Sequence, residues 1–131
     1  IARSTSTPIA AGENEYTKYG FRDMINARSA DILHPDALVL GGITEFMKIA
    51  ALAQANDLDI SPHGAQEVHI HLVSAIPNGL ILEFYNDTVD PMWGKSYTET
   101  INIKDGYVSA PDLPGLGLEL NKKELEKYRV L

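Results

Sequence analysis

Four titratable residues each lie at or just after the end of a short apolar run: Glu13, Asp36, His63 and Glu83. Successive members are 23, 27 and 20 residues apart, which is the length of one strand, one turn and one helix. Parallel strands joined by helices bring their carboxyl ends to one edge of a sheet. The spacing therefore predicts a shared site of three carboxyl groups and one imidazole, groups that suit cation binding and proton transfer.

The elements that must position these residues alternate between short apolar runs and longer helical patterns. The clearest helix covers residues 43–55, because Ile43, Phe46, Met47 and Ala50 recur at i, i+3, i+4 and i+7. Alternation of strands and helices with short turns predicts an α/β fold with a parallel sheet. Strands are predicted over residues 7–12, 32–33, 58–61 and 80–82, and further helices over residues 18–27 and 66–75.

The pattern changes near position 90, so we expect two parts, residues 1–90 and residues 91–131. In the second part, Lys104-Asp105-Gly106 lies between two apolar runs and predicts a hairpin, because Asp-Gly tolerates positive φ. Asn121 is expected to cap a short helix over residues 122–128, with Glu124 at its third position. This tail carries no evident chemistry, and we expect it to pack on the rest of the protein.

Composition excludes several classes of function. The chain has 131 residues and a formal net charge of −7, which argues against a nucleic-acid partner, since such a partner normally requires a basic face. Cysteine is absent, which excludes disulfides and thiolate chemistry. No apolar run approaches the roughly 18 residues that a membrane span needs. We expect no membrane contact and a cytoplasmic location.

Several segments, taken in order, resemble the barrel domain of the enolase superfamily, in its mandelate racemase/muconate lactonizing enzyme-like group. Residues 8–14 resemble its fifth strand, and residues 31–36 with 41–45 its sixth strand and the following turn. Residues 61–64 resemble the seventh strand, residues 82–83 the eighth, and residues 105–107 with 111–117 the tail. The resemblance implies an α/β parallel half-barrel, the last four strands of a TIM-type (β/α)7β barrel, plus a C-terminal tail with a small hairpin.

The resemblance also implies roles for the four residues, in an enzyme that removes the α-proton of a carboxylate substrate bound to magnesium. Glu13 would be one of three carboxylate ligands of the metal. His63 would be the general acid/base, and Asp36 would accept a hydrogen bond from it and fix its tautomer. Glu83 would be a carboxyl group kept protonated by its surroundings, which donates a hydrogen bond to the enediolate oxygen.

Each of these four residues also has a simpler interpretation. Glu13 could favour the start of a helix electrostatically. Asp36 and His63 each follow a proline and could be ordinary turn residues. Glu83 could form an ion pair with Lys95 or another cation. The order of Asp and then His on neighbouring barrel strands favours the functional interpretation of that pair.

The remaining histidines are assigned less direct roles. His69 and His71 would form a metal-binding pair on a strand, but on a helix they point about 200° apart. Since a helix is predicted there, we expect surface or hydrogen-bonded histidines. His34 lies beside the Asp36–His63 pair, at a position where family members often carry Gln. It would either contact substrate or fill the mouth of the barrel.

The resemblance further implies two more metal carboxylates, a lysine-bearing motif and an N-terminal capping domain that this sequence does not contain. We therefore expect the isolated chain to be inactive and its parent to be an enzyme. An acid-sugar dehydratase is favoured by the similarity of residues 76–79 and 116–120 to such enzymes. The alternatives are a racemase or epimerase of a 2-hydroxy acid, and a non-catalytic fragment that associates with itself.

Half a barrel would leave two open sheet edges and an exposed apolar face. We therefore expect a protein partner, either the N-terminal half of the same enzyme or a second copy in a homo-oligomer.

Overall fold

The structure is a computed structural model, and it describes residues 1–130. The chain divides into two compact units, Ile1–Glu83 and Phe84–Leu131. The sequence pattern predicted a boundary near position 90, a few residues after this division at Glu83. Of the helices in the described part, none is long and apolar enough to cross a lipid bilayer.

A three-stranded parallel sheet organises the first unit. Its strands are β1 (Ala10–Ala11), β2 (Ile32–Leu33) and β3 (Asp59–Ile60), in that order. The register pairs the first residues of all three strands with one another, and likewise the second residues. The mixed α/β class with a parallel sheet is therefore confirmed.

The fourth strand, predicted over residues 80–82, does not form. Instead, one parallel bridge joins Ile60 to Gly79, where Ile60 N–H donates to Asn78 O at 2.8 Å and Leu80 N–H donates to Ile60 O at 2.8 Å. Leu80 and Ile81 are 52% and 64% exposed. With little buried against their side chains, apolar composition alone does not extend the pairing, and the four-strand count is not confirmed.

Helices cover the sheet and supply most of the core. They are α1 (Thr17–Ala27), α2 (Ala37–Leu40), α3 (Ile43–Gln54) and α4 (Gln66–Ala75). The core contains Phe21 of α1, Leu33 of β2, Leu40 of α2, Ile60 of β3 and Ile70 of α4, each at most 1% exposed. The helices predicted over 18–27, 43–55 and 66–75 are confirmed to within one residue at each end.

The buried stripe of α3 differs from the predicted one. Ile43 and Met47 are 53% and 40% exposed, whereas Phe46 and Ala50 are buried together with Ile49. Residues 46, 49, 50 and 53 keep the same i, i+3, i+4, i+7 spacing but begin one turn later. The period of the pattern was right and its starting position was wrong, because periodicity alone does not show how far the first turn extends beyond the core.

The second unit contains α5 (Trp93–Ser96), α6 (Lys122–Leu125) and a closing 3-10 turn, Glu126–Tyr128. The predicted cap is confirmed, since the Asn121 side chain accepts from Glu124 N–H at 3.1 Å. The predicted hairpin turn is confirmed as well. Lys104 and Tyr107 exchange two backbone hydrogen bonds, and Asp105 and Gly106 both have positive φ, 52° and 80°.

Candidate active site

Backbone hydrogen bonds continue past the strand ends and align the loops that carry the candidate residues. His34 N–H donates to Ala11 O at 2.9 Å, Ser61 N–H to Leu33 O at 3.0 Å and His63 N–H to Pro35 O at 3.1 Å. These bonds extend the parallel register of β1, β2 and β3 by several residues. The loops after the three strands therefore form one rim, which bears Glu13, Asp36 and His63.

His63 lies between two carboxylates on this rim. Its Nδ1 is 3.2 Å from Asp36 Oδ2, and its Nε2 is 3.6 Å from Glu13 Oε2. A carboxylate oxygen can only accept, so Nδ1 carries the hydrogen of the neutral ring and donates it to Asp36. Nε2 then carries the lone pair of the neutral ring, and it faces Glu13.

Asp36 is buried and held on both of its oxygens. It is the N-cap of α2, where Oδ1 accepts from Leu38 N–H at 2.8 Å. Asp is a preferred N-cap residue because its side chain satisfies a backbone donor of the first turn. The turn role and the contact with His63 are thus compatible, since one oxygen serves the helix and the other serves the imidazole.

Glu83 reaches the same rim from the chain that follows the Gly79 bridge. Its Oε2 accepts from Gly64 N–H at 2.7 Å and lies 3.6 Å from His34 Nε2. Gly64 directly follows His63, so this hydrogen bond joins the Glu83 carboxyl to the loop of the imidazole. All four residues that were selected from the sequence therefore lie in one neighbourhood, while their roles stay predictions.

His34 adds a second imidazole to the rim, beside the Asp36–His63 pair as its place in the sequence predicted. Its Nδ1 contacts the Ser61 carbonyl oxygen, so that nitrogen carries a hydrogen and donates it. Its ring meets the His63 ring edge to face, with 5.4 Å between centroids and 72° between planes. His34 lies two residues before Asp36 on the segment after β2, and its role, substrate contact or filling of the barrel mouth, stays a prediction.

Glu13 fits the chemistry of one magnesium ligand but does not form a site by itself. Its side chain is 51% exposed, and its Oε1 accepts from Asn14 Nδ2 at 3.2 Å. Magnesium requires near-octahedral coordination by several oxygen ligands. Among residues 1–130 there is no group of three or more His, Cys, Asp or Glu placed to hold one ion. Any complete site would need ligands in addition to these.

His69 and His71 lie on α4, so they do not form the metal-binding pair that a strand would have allowed. His69 is completely buried and hydrogen bonded on both nitrogens, to Gly64 O and from Ala37 N–H. It is therefore a satisfied histidine, as the helical pattern predicted.

The parallel sheet and the carboxylate-imidazole rim are typical of α/β folds that carry their functional residues at the carboxyl ends of the strands. Residues 1–124 match the family described as enolase C-terminal domain-like. The chain belongs to this family and so to the enolase superfamily, in which mandelate racemase/muconate lactonizing enzyme-like proteins and acid-sugar dehydratases are its neighbours.

Individual relatives agree with this assignment. The chain is 34% identical to a 3,6-anhydro-alpha-L-galactonate cycloisomerase of Streptomyces coelicolor, over 99% of this chain and 35% of that protein. It is 34% identical to a D-xylonate dehydratase of Haloferax volcanii, over 99% of this chain and 32% of that protein. The chain thus spans about a third of the length of these relatives.

Solved structures show the same fold. An L-talarate dehydratase of Polaromonas sp. JS666, complexed with magnesium and L-glucarate, superposes on this chain with a TM-score of 0.84 at 39% identity. The match covers 95% of this chain and 34% of the dehydratase chain. A mandelate racemase/muconate lactonizing enzyme of a marine actinobacterium, in complex with magnesium, gives a TM-score of 0.92 at 31% identity over 99% of this chain and 37% of its own.

Proposed function

We propose that this chain is the C-terminal part of a magnesium-dependent enzyme that removes the α-proton of an acid sugar and eliminates water from it. The observation that carries the proposal is the placement of His63 at the rim, with Nδ1 on Asp36 and Nε2 towards Glu13. Support for the substrate class comes from the relatives, which include dehydratases of D-xylonate and D-galactonate.

His63 is the proposed general base. Its Nε2 takes the proton from the carbon next to the substrate carboxylate, and the electron pair of that C–H bond forms the enediolate. The resulting imidazolium is stabilised by Asp36, 3.2 Å from Nδ1. When the enediolate collapses and expels the β-hydroxyl, the same imidazolium returns its proton to the leaving oxygen. One water leaves and His63 is again neutral.

Glu83 is the proposed donor to the enediolate oxygen. A protonated carboxyl group has one oxygen that accepts and one that donates. Because Gly64 N–H donates to Oε2, Oε1 is the oxygen that would carry the proton towards substrate. Magnesium, when bound, would offset the negative charge of the substrate carboxylate, and Glu13 is the one ligand that we assign to it within this chain.

The proposal extends to a protein partner. The described sheet has open edges at β1 and beyond the Gly79 bridge, and Leu80 and Ile81 are exposed there. Open edges and exposed apolar side chains favour association. The N-terminal half of the same enzyme or a second copy of this chain would cover them, and size-exclusion chromatography with light scattering that shows only monomer would contradict this.

The test uses the complete polypeptide that contains this sequence, with magnesium and a panel of aldonic and aldaric acids, analysed by mass spectrometry. We expect the loss of one water from at least one acid. His63→Asn should lower the rate about 10²–10⁴-fold, because it removes the general base. The matched control is His71→Asn on α4, which should leave the rate near that of the parent.

A racemase or epimerase of a 2-hydroxy acid is the second candidate, because solved structures of mandelate racemase/muconate lactonizing enzyme proteins superpose well on this chain. That reaction leaves the mass unchanged and, in deuterium oxide, adds one deuteron at the α-carbon. Exchange without loss of water would replace the dehydratase proposal by this one. An unchanged rate in His63→Asn would overturn both.

A further inference from the structure

His69 takes no part in the reaction proposed above, although it is the most deeply buried polar side chain near the site. It is 0% exposed, and its ring lies 5.9 Å from the Phe46 ring, between centroids. An imidazole costs free energy in such surroundings unless both of its nitrogens are hydrogen bonded. The hydrogen-bond partners of these nitrogens therefore indicate the role of the His69 side chain.

Both nitrogens bond to the loops that carry the proposed catalytic pair. Nδ1 is 2.7 Å from Gly64 O, and Nε2 is 2.9 Å from Ala37 N. Gly64 is the residue after His63, and Ala37 is the residue after Asp36. One rigid ring on α4 thus spans the loop after β3 and the start of α2, directly beside the point where His63 and Asp36 meet.

These contacts permit only one form of the ring. The Gly64 carbonyl must receive a hydrogen from Nδ1, and Ala37 N–H must find a lone pair on Nε2, so His69 is neutral and protonated on Nδ1. The Asp36 Oδ1 atom lies 3.7 Å from Nε2. A protonated Nε2 would oppose the Ala37 hydrogen and attract the carboxylate that His63 uses.

We propose that His69 is a positioning residue that fixes the separation and orientation of Asp36 and His63 by joining their two loops. This role deepens the proposed function, since it rests on that pair being the catalytic one. Burial lowers the pKa of His69, and the positive charges that His63 and His34 can carry act in the same direction, whereas Gly64 O and Asp36 oppose it. The neutral form that the geometry requires is therefore the favoured one.

The test is nuclear magnetic resonance of the full chain labelled with ¹⁵N. In the parent chain, a scalar coupling across the Ala37 N–H···Nε2 hydrogen bond should be visible, and neutral His63 should carry its hydrogen on Nδ1. His69→Leu keeps a side chain of similar volume but removes the hydrogen bonds to Gly64 O and from Ala37 N–H. We expect loss of the Nδ1–H form of His63 in this variant. The matched control is Ile49→Ala, which removes buried volume from α3, an element that carries neither His63 nor Asp36, and should leave the His63 tautomer unchanged.

Two further variants keep the test decisive if His69→Leu fails to fold. His69→Gln keeps an acceptor for Ala37 N–H, and His69→Asn keeps a donor for Gly64 O, so each should shift the His63 tautomer less than complete removal. A folded variant of any of the three with a shifted tautomer supports the proposal. Absence of the Ala37 coupling in the parent chain, or a parental tautomer in every folded variant, overturns it. None of these readouts depends on turnover, so failure of the dehydratase proposal would leave them unchanged.

Discussion

The two units of the chain differ in how their residues are held. In the first unit, large side chains of β2, β3 and all four helices are almost completely buried, and Asp36 and His63 lie on the segments that follow β2 and β3. In the second unit, Gly117 is the only buried residue among those described, and Tyr107 and Leu113 are 80% and 62% exposed. The candidate chemistry thus lies where a packed core fixes the backbone, because hydrogen-bond geometry at a site requires elements that do not move.

The largest expected effect compares the same substitution in both units. Leu33→Ala removes a side chain that is 1% exposed in the central strand and should lower the free energy of unfolding by about 2–5 kcal/mol. Leu113→Ala removes an exposed side chain and should change it by less than about 0.5 kcal/mol. Urea unfolding followed by circular dichroism measures both. Equal losses would remove the contrast between the units.

A second pair of substitutions compares glycines with positive φ. At Gly12, φ is +129° and an added Cβ would lie 2.7 Å from Phe21 Cε1, so Gly12→Ala should cost about 1–3 kcal/mol in overpacking, in addition to backbone strain. At Gly106, φ is +80° but the space is open, so Gly106→Ala should cost only the strain, about 1–2 kcal/mol. Thermal unfolding of both variants tests this order, and a larger loss at Gly106 would contradict the packing around Gly12.

The helix cap offers a smaller effect. Asn121→Ala removes the acceptor for Glu124 N–H and should cost about 1 kcal/mol, expressed mainly as faster hydrogen exchange in α6. In the first unit, Asp36→Asn keeps an acceptor for Leu38 N–H and should leave exchange in α2 close to that of the parent. Unchanged exchange at Glu124 in Asn121→Ala would show that the cap contributes nothing to the tail.

The smallest effect concerns acid stability. Lys18 N–H, together with the Lys48 ammonium, lowers the pKa of Glu45 from 4.5 to about 2. The Glu45 carboxylate is therefore protonated at a lower pH in the folded state than in the unfolded chain. Its contribution to the free energy of unfolding is complete above pH about 4.5 and is lost as pH falls towards about 2. Chemical denaturation across this range should show a flatter acid limb for Glu45→Gln than for the parent.

Glu124 is the matched control for that measurement. The pKa of Glu124 is also lowered, by the ammonium of Lys127. These two residues are i,i+3 neighbours in consecutive turns, Glu124 at the end of α6 and Lys127 in the 3-10 turn that follows it. Surface pairs of this kind contribute little. We expect Glu124→Gln to alter the acid limb less than Glu45→Gln does, since Glu45 joins the start of α1 to α3. A larger effect of Glu124→Gln than of Glu45→Gln would contradict the distinction between the ion pairs of the two units.

Local rules account for the elements that the sequence determined. The helix over residues 66–75, the turn at Asp105-Gly106 and the Asn121 cap depend on residues within one or two turns of each other, so their patterns are complete in a short stretch of chain. The even spacing of Glu13, Asp36, His63 and Glu83 also indicated a common rim, because each interval is one strand-helix unit.

Tertiary structure alone decided the rest, because it depends on residues far apart in sequence. No local pattern shows that the chain after Gly79 stops pairing, or that the buried stripe of α3 begins at Phe46. The hydrogen bonds from Gly64 N–H to Glu83, from His34 to the Ser61 carbonyl and between His69 and Ala37 join positions 19 to 32 residues apart. Composition and periodicity determine which elements form and in what order. The orientation of each buried polar side chain depends on the hydrogen-bond partners that the packed elements place within its reach.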